Sequence, residues 1–431
     1  MGTSLSLKKL ADQLNSRQVR SANGRVSGWL KKIMLKQLEQ LAYGTLTIED
    51  NEKVYQFTGA SRQELTAKIN IQDEQFYSYV AFGGSVGAGE AYINNYWQSE
   101  DLTAVIQLFA LNQSMMDSME GGLAKLTTPV KQGFHWLNKN THKGSRNNIV
   151  AHYDLGNEFF KLFLDPTMMY SSGIFLQENE SMHQASLNKL ERICERLRLK
   201  SDDHVVEIGT GWGSFAIFAA KNYGCKVTTT TISDEQYDYA AKRIKEENLE
   251  HQITLLKQDY RNLEGQFDKL VSIEMIEAVG HQYFDVFFKQ CSDLLKPEGE
   301  MLLQAITIAD QRFDSAKKEV DFIKRYIFPG SCIPSVDAIS KSIRQSSDMR
   351  VLNLEDIGVH YSYTLNKWRE TFFDKIEQVR EQGFSEAFIR MWDFYLCYCE
   401  GAFKERVISV VQMHKVKPLA RVPMKLTKWE K

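Results

Sequence analysis

Three features that would indicate other classes of protein are missing from this chain of 431 residues. No stretch approaches the ~18 consecutive apolar residues of a membrane span, so no transmembrane helix is predicted. The seven prolines are few and no low-complexity run occurs, which argues against long disordered tails. Positive charge is not in excess either. The formal net charge of −2 gives no overall attraction to nucleic acid, so affinity for a membrane or an anion must come from local patches.

Cysteine and histidine are present, but they are not arranged as bridges or ligands. The six cysteines form no C-x-x-C pair and no disulfide-framework spacing, which is typical of a reduced, cytoplasmic protein. The nine histidines are scattered and no H-E-x-x-H occurs, so no metal site is predicted. The N-terminus lacks the apolar core of a signal peptide.

Residues 1–136 are predicted to form a smaller N-terminal α+β domain associated with lipid or membrane. A helix is expected within residues 27–44, with lysines away from its apolar face. That face is assigned Trp29, Ile33, Met34, Leu38 and Leu41. Strand-like runs follow, the last of them QFYSYVAFG. The glycine-rich stretch GGSVGAGEAYINNYW follows no buried strand, and we interpret it as a turn rather than a phosphate loop.

A polar, basic and turn-rich segment, LNKNTHKGSRNNI, predicts a linker over residues 137–150. Residues 151–431 are then expected to form the catalytic domain. Helical and strand-like patterns alternate there as far as residue 308, which predicts an α/β fold with a parallel sheet. From 311 to 406 the pattern becomes mostly helical and rich in aromatic residues.

The most informative short motif is VVEIGTGWG, residues 205–213, a buried strand running into a glycine-rich turn. Glycines let the backbone turn tightly and approach a ligand, and the N–H groups of the next helix point at that ligand. A dinucleotide site usually has G-x-G-x-x-G spacing. Here Glu207 precedes the first glycine by two positions and would repel a pyrophosphate, whereas it suits the amino group of S-adenosylmethionine (SAM). A tight turn that binds nothing is the remaining alternative.

The next two strands agree with a SAM site. The second ends in TTTTISDEQ, so hydroxyl groups stand where a NAD site would carry an acidic residue for the ribose. Asp234 and Gln236 follow at a helix start, where helix capping is an alternative role. The third strand ends at Asp259, which could accept a hydrogen bond from an adenine amino group.

Several longer blocks resemble the cyclopropane-fatty-acyl-phospholipid synthases, relatives of the mycolic acid methyltransferases. These blocks are HYDLGNEFFKLFLDPTMMYSSGIF, TISDEQ, QDYRNL, SIEMIEAVGHQYFDVFF, RYIFPGSCIPS and FYLCYCEGAF, in the family's order. The resemblance covers roughly residues 50–410. It implies a Rossmann-like, seven-stranded SAM-dependent methyltransferase domain with a helical cover, behind the smaller N-terminal domain.

The resemblance also implies a reaction. The cis double bond of a phospholipid acyl chain attacks the methyl group of SAM, a carbocation forms, and a base removes a proton from the added methyl to close a cyclopropane ring. The base that the family implies is a bound bicarbonate. Because water would capture the cation, such a site must be dry, and aromatic faces can stabilise positive charge.

Residue roles follow from the resemblance by position. The cofactor-binding residues it implies are Tyr170, Ser171, Glu207, Gly209, Gly211, Trp212, Thr231, Gln236, Asp259 and Tyr260. The residues it implies for the bicarbonate site are Glu277, Ile306 and Tyr395. Three positions depart from the family: Ser172 replaces a usual Cys, Gln304 a usual His and Ala278 a common His. Ser172 and Gln304 can still donate to an anion, so both are predicted to join the site, although neither titrates near neutral pH as histidine does.

These departures leave two alternatives to cyclopropane formation, a methylated acyl product without a ring and a catalytically silent lipid-binding homologue. The expected partner is the surface of a phospholipid bilayer on the inner membrane face, with no nucleic acid. Attachment is predicted through the basic segment 28–41 and through Lys143 and Arg146 in the linker, although segment 28–41 could instead pack on its own domain. A homodimer is a further candidate assembly, which the sequence does not fix.

Overall fold

The computed structural model describes residues 24–120 and 155–423. The predicted linker and its Lys143 and Arg146 lie outside the described residues, and the predicted division into domains stays a prediction. Among the described helices, none combines the length and apolarity needed to cross a membrane.

The N-terminal part packs helices on a four-stranded sheet of order β2-β1-β3-β4. Its elements are α1 (Gly24–Leu38), β1 (Tyr43–Asp50), β2 (Lys53–Thr58), β3 (Ser61–Ile71), α2 (Gln75–Ile93), β4 (Trp97–Gln98), α3 (Leu102–Leu111) and α4 (Gln113–Glu120). Burial alternates along β1, which places Leu46 and Ile48 in the core. Leu30, Met34 and Leu38 of α1 are buried in the same core cluster.

Two predictions for this part are wrong in detail. Residues 75–93 form one helix rather than a strand followed by a turn, and the helix is interrupted only at Gly84. The segment is apolar on every side, so neither helical nor strand periodicity is visible in it. Trp29 is 56% exposed, while Leu30 takes the buried place on α1. Segment 28–41 therefore packs on its own domain through one face and leaves Trp29 outside.

The C-terminal part is built on a seven-stranded sheet of order β10-β11-β9-β8-β5-β6-β7. Its strands are β5 (His204–Ile208), β6 (Lys226–Thr231), β7 (Ile253–Lys257), β8 (Phe267–Ile273), β9 (Leu295–Ile308), β10 (Arg350–Asp356) and β11 (Ile408–Val416). The strands from β7 to β9 pair in parallel, whereas β11 is antiparallel to both β9 and β10. The predicted α/β class with seven strands is confirmed.

Helices cover this sheet. They are α5 (Asn157–Phe160), α6 (Met182–Leu197), α7 (Ser214–Tyr223), α8 (Asp234–Glu246), α9 (Phe284–Asp293), α10 (Asp310–Ala316), α11 (Val336–Ser346), α12 (Gly358–Asp374), α13 (Ile376–Glu381) and α14 (Glu386–Lys404). Strand β10 interrupts the segment that was predicted to be mostly helical. Trp368 of α12 and Trp392 of α14 are fully buried, so most aromatics of this cover fill a core.

Helix α14 also holds the two parts of the chain together. Asp393 accepts a 2.7 Å hydrogen bond from the Tyr92 hydroxyl, and Glu400 accepts one of 3.1 Å from Thr103. Arg390 donates to the carbonyl oxygens of Tyr92 and Trp97 at 2.6 and 3.0 Å. Buried polar groups of the two parts thus satisfy one another.

Candidate active site

A cavity of about 620 Å³ lies where the parallel strands β5, β6 and β8 end. The carboxyl edge of a parallel sheet is the usual ligand site in α/β folds. Each of the ten predicted cofactor-binding residues lines this cavity, and so do Glu277, Ile306 and Tyr395. The structure therefore brings together residues that are spread over more than 200 positions of the sequence.

The glycine turn connects β5 to α7. Gly209, Gly211 and Gly213 all have positive φ, at 96°, 52° and 89°. A Cβ atom added to Gly213 would lie 3.2 Å from the Cβ of Ala240, but one added to Gly211 would meet nothing within 4 Å. The positive φ at position 211 therefore favours glycine, although the space beside it is open. Gly211 borders the cavity, as glycines do where a ligand approaches the backbone.

Glu207 lies at the end of β5 with 3% of its surface exposed. Its Oε2 accepts a 2.5 Å hydrogen bond from the Thr229 hydroxyl, and burial raises the pKa of Glu207 to about 8. A buried carboxyl with no cation beside it is stabilised in its ionised form when a positive group binds. Glu207 therefore fits the amino group of SAM.

The side of the cavity that the sequence analysis assigned to the adenosine group is polar. The Thr231 hydroxyl donates a 3.0 Å hydrogen bond to Gln236 Oε1, and Ser233 caps α8. Asp259 accepts from Arg261 through both oxygens, at 2.8 and 2.6 Å. Thr231 and Gln236 thus lie together at the cavity, and their contact with a ribose stays a prediction, while Asp259 is already paired with an arginine.

Aromatic side chains close the cavity from the side of α14. The hydroxyl groups of Tyr170 and Tyr395 lie 2.8 Å apart. The Tyr170 ring stacks on Trp368 with centroids 5.1 Å apart. Trp212, 3% exposed, donates a 2.6 Å hydrogen bond from its Nε1 to Asn157. This wall offers aromatic surface of the kind that can exclude water and stabilise positive charge.

Glu277 lies on a short 3₁₀ turn after β8. Its Oε1 accepts a 2.5 Å hydrogen bond from the Ile306 N–H, and its Oε2 is buried without a partner among the described residues. Burial, and then the neighbouring charge of Glu274, raise the pKa of Glu277 to about 8. The Ile306 N–H therefore orients this carboxyl group, and the part of Ile306 in an anion site stays a prediction.

Ser172 and Gln304, both predicted at the anion site, do not line the cavity. The Ser172 hydroxyl donates to the carbonyl oxygen of Gly173 at 3.0 Å. The Gln304 amide donates to Glu274 at 2.8 Å and accepts from Gln412 at 3.0 Å. Gln304 and Ile306 lie on the same face of β9, but Gln304 is two residues farther from the carboxyl end of the strand. There its amide group donates a hydrogen bond to Glu274. Two of the five residues expected at the bicarbonate site therefore lie outside the cavity lining.

Sequence reasoning missed two buried charged groups beside the cavity. Glu274 lines the cavity, and its backbone has a positive φ of 48°. Its Oε1 accepts a 3.0 Å hydrogen bond from the Ser172 N–H. Lys189 of α6 donates a 2.6 Å hydrogen bond from Nζ to the Ser171 hydroxyl, and burial lowers its pKa to about 8. Burial raises the pKa of Glu274, while the charge of Lys189 opposes that rise. An acidic residue directly after a buried strand, and a lysine on the apolar face of α6, were the available signals.

Comparisons with known proteins agree with this geometry. A model of the family described as mycolic acid cyclopropane synthetase matches residues 140–413. A cyclopropane-fatty-acyl-phospholipid synthase of Escherichia coli is 36% identical over 358 residues, 80% of this chain and 87% of that protein. The tuberculostearic acid methyltransferase UfaA1 of Mycobacterium tuberculosis is 33% identical over 347 residues, 76% of this chain and 78% of the relative.

Solved structures are similar as well. The cyclopropane synthase MmaA2 of Mycobacterium tuberculosis matches with a TM-score of 0.59 and 27% identity, covering 63% of this chain and 98% of that one. The mycolic acid cyclopropane synthase CmaA1, complexed with SAH and CTAB, matches with a TM-score of 0.58, 27% identity and the same coverage.

Proposed function

The chain belongs to the mycolic acid cyclopropane synthetase family, and we propose that it converts a cis double bond of an unsaturated phospholipid acyl chain into a cyclopropane ring. Its membership makes it a SAM-dependent methyltransferase of the cyclopropane synthase type, which transfers a methylene or methyl group to lipid acyl chains. The phospholipid, the double bond and the ring are the proposed part.

One observation supports the proposal most strongly. The glycine turn with Glu207 and the carboxyl group of Glu277 line a single cavity beneath an aromatic wall. Bound at this turn, SAM supplies an electrophilic methyl group. We assign Glu207 to its amino group, Gly209 and Gly211 to close backbone approach, and Thr231 and Gln236 to the ribose.

The aromatic wall suits the acceptor. An alkene is a weak nucleophile, so it must be held close to the methyl group and away from water. Tyr170, Phe328 and Tyr395 line the cavity and offer ring faces or edges to positive charge that forms on the acyl chain. None of these three groups is a strong nucleophile that would capture a carbocation.

Ring closure requires that a proton leave the added methyl group. Bicarbonate does not fit the described residues, because Ser172, Gln304 and the Ile306 N–H are bonded elsewhere. The proposed ring closure therefore does not use bicarbonate. We assign proton removal to the carboxylate of Glu277, whose raised pKa makes it a stronger base than an exposed glutamate. The C–H electrons then form the third bond of the ring, and the proton stays on Glu277 until it exchanges with solvent.

A methylated product without a ring is the second candidate. The methylated product is favoured by the position of Ser172 and Gln304 outside the cavity lining. With fewer groups to assist proton removal, ring closure would be slower. A relative of this chain is named as a methyltransferase of tuberculostearic acid. Both outcomes share methyl transfer to the double bond and differ in the proton that is lost afterwards.

The test uses a host that lacks its own cyclopropane synthase. Expression of the full chain is expected to add one CH₂ to unsaturated phospholipid acyl chains, detected by mass spectrometry. Upfield ring protons in NMR would identify a cyclopropane, whereas vinylic methyl signals would identify the second candidate. The Glu277→Gln chain serves as the matched control and should lose most of the product. Unchanged lipids with a folded, SAM-binding chain would contradict the proposal.

A further inference from the structure

We propose that the interior of the N-terminal part receives the methyl-terminal segment of the acyl chain whose double bond is modified. This inference rests on the proposed function and names the subsite that the acyl chain occupies. The cavity that holds the glycine turn is continuous with space inside the N-terminal sheet-and-helix layer.

The residues that line this N-terminal limb are core residues of the small fold. They are contributed by α1, β1, β3, α2, β4, α3 and α4 and include Met34, Ile48, Ile69, Phe76, Trp97 and Val105. All six are at most 6% exposed. The limb is thus an enclosed space within the fold rather than a groove on its surface. An empty apolar cavity destabilises a fold in proportion to its volume, so an apolar occupant would stabilise this one.

Helix α2 provides the passage between the limbs. The helix breaks at Gly84, where φ is 57° and ψ is −137°, a conformation that only glycine adopts readily. Gly84, Ser85 and Ala88 line the cavity at and just after this break. Side chains this small leave room between the catalytic limb and the N-terminal limb, where a regular helix of large residues would form a wall.

Charge decides which end of the lipid enters. Among the described residues that line the N-terminal limb, none carries a charge, and Ser85 and Gln113 are its only polar side chains apart from the Trp97 indole. The charged residues that line the cavity, among them Arg312, Glu319, Asp321 and Lys324, all belong to the C-terminal part. Burying a charged head group in the N-terminal limb would be costly. The methyl end of the chain can enter it without that cost.

The first experiment uses a bulky substitution to narrow the passage into the N-terminal limb. Ala88→Phe places a ring in the passage, and Ala81→Phe, on the same helix but away from the cavity, is the matched control. Phospholipids with myristoleoyl, palmitoleoyl and oleoyl chains share a double bond after the ninth carbon and differ only in the length of the methyl side. Ala88→Phe is expected to reduce turnover of the oleoyl lipid at least tenfold more than that of the myristoleoyl lipid. Ala81→Phe should leave the ratio unchanged. Equal loss for all three lipids, with SAM affinity retained, would overturn the proposal.

The second experiment does not need turnover. The full chain is incubated with a saturated phospholipid that carries a diazirine at the methyl end of its acyl chain, irradiated, digested and analysed by mass spectrometry. Crosslinks within residues 34–116, which contribute the lining of the N-terminal limb, are expected even if the chain forms no cyclopropane, so failure of the proposed function is distinguishable. Crosslinks confined to residues after 155 would show that the methyl end lies elsewhere, and this inference would fail.

Discussion

Lys189 donates a 2.6 Å hydrogen bond from its Nζ to the Ser171 hydroxyl, behind the wall of the cavity. Lys189 is fully buried, so its ammonium group has few means of solvation other than Ser171 and the negative charges of Glu274 and Asp165. We infer that Lys189 is a positioning residue that fixes Ser171 for the cofactor.

Lys189→Met, which keeps the length of the side chain but removes its charge, is expected to weaken SAM binding about tenfold, or ~1.4 kcal/mol. The measurement is calorimetric titration of Lys189→Met, Ser171→Ala and the double variant. If Lys189 acts through Ser171, the double variant should bind as weakly as the weaker single variant. Additive losses would indicate that Lys189 acts through Glu274 or the fold instead.

Turnover should depend on the ionisation of Glu277. Its pKa is raised to about 8, so a smaller fraction of the carboxyl is ionised at pH 7 than at pH 8.5. If the carboxylate is the base, kcat should rise with pH and level off above about 8. Glu277→Gln should lower kcat by ~10² or more, because a general base contributes about that much, and leave SAM affinity nearly unchanged. A Glu277→Gln protein with lower thermal stability but normal kcat would assign Glu277 to the fold.

Binding of the cofactor should release a proton from Glu207. The pKa of this carboxyl is raised to about 8 by burial, and a bound ammonium group favours the ionised form. Calorimetry of SAH binding at pH 7 in buffers of different ionisation enthalpy should therefore show net proton release. Glu207→Gln should abolish that release, and a release that persists in the variant would locate the proton elsewhere.

The same shift fixes the sign of a stability effect. In the unfolded chain Glu207 ionises near its ordinary pKa of 4.5, whereas in the native protein it stays protonated up to about 8. The native state therefore holds the extra proton between these values. This group's contribution to the free energy of unfolding falls as pH rises through that window. Glu207→Gln should flatten this part of the profile.

Substitutions at Gly211 test the glycine turn without disturbing the packing of the core. A methyl group would meet no atom within 4 Å, but φ at this position is 52°. Gly211→Ala is expected to lower the free energy of unfolding by ~1–2 kcal/mol, the usual cost of a left-handed alanine. Gly211→Val should fold less stably and lose SAM binding, because its branched side chain occupies the ligand's space. Unchanged SAM affinity in a folded Gly211→Val chain would remove the turn from the cofactor site.

Trp29 is the exposed aromatic residue of a helix that also exposes Lys32 and Lys36. We expect it to enter the interface of a bilayer while the lysines meet anionic head groups. Trp29→Ala should lower binding to anionic vesicles severalfold in co-sedimentation, with no change in melting temperature. Leu30→Ala, next to it but buried, should instead destabilise the fold. Equal binding of wild type and Trp29→Ala would exclude this contact.

The strands and the glycine turn of the C-terminal part were predictable because their signals are local. A short, mostly apolar strand ends at Ile208, Gly209 follows directly, and the next helix begins at Ser214. The order of the blocks then identified the family. The same reasoning failed for residues 75–93, since a helix that is apolar all round has no periodicity to detect.

The sequence did not predict which buried groups bond one another behind the cavity wall. Gln304 and Ile306 were assigned to the anion site by the resemblance, and their spacing along β9 does not reveal that Glu274 accepts a hydrogen bond from the Gln304 amide. Lys189 was overlooked for a related reason. A lysine among apolar positions of a helix reveals its role only when the hydroxyl and the carboxylates that surround it, which come from distant segments, are known.

Helix α14 has a consequence for how the chain folds. Its residue Tyr395 meets Tyr170, while Asp393, two positions earlier, holds Tyr92 of the N-terminal part. Without that part, Arg390, Asp393 and Glu400 would lose hydrogen-bond partners at a newly exposed face. Separating the two parts would replace these buried bonds by bonds to water, so we expect the two parts to unfold together.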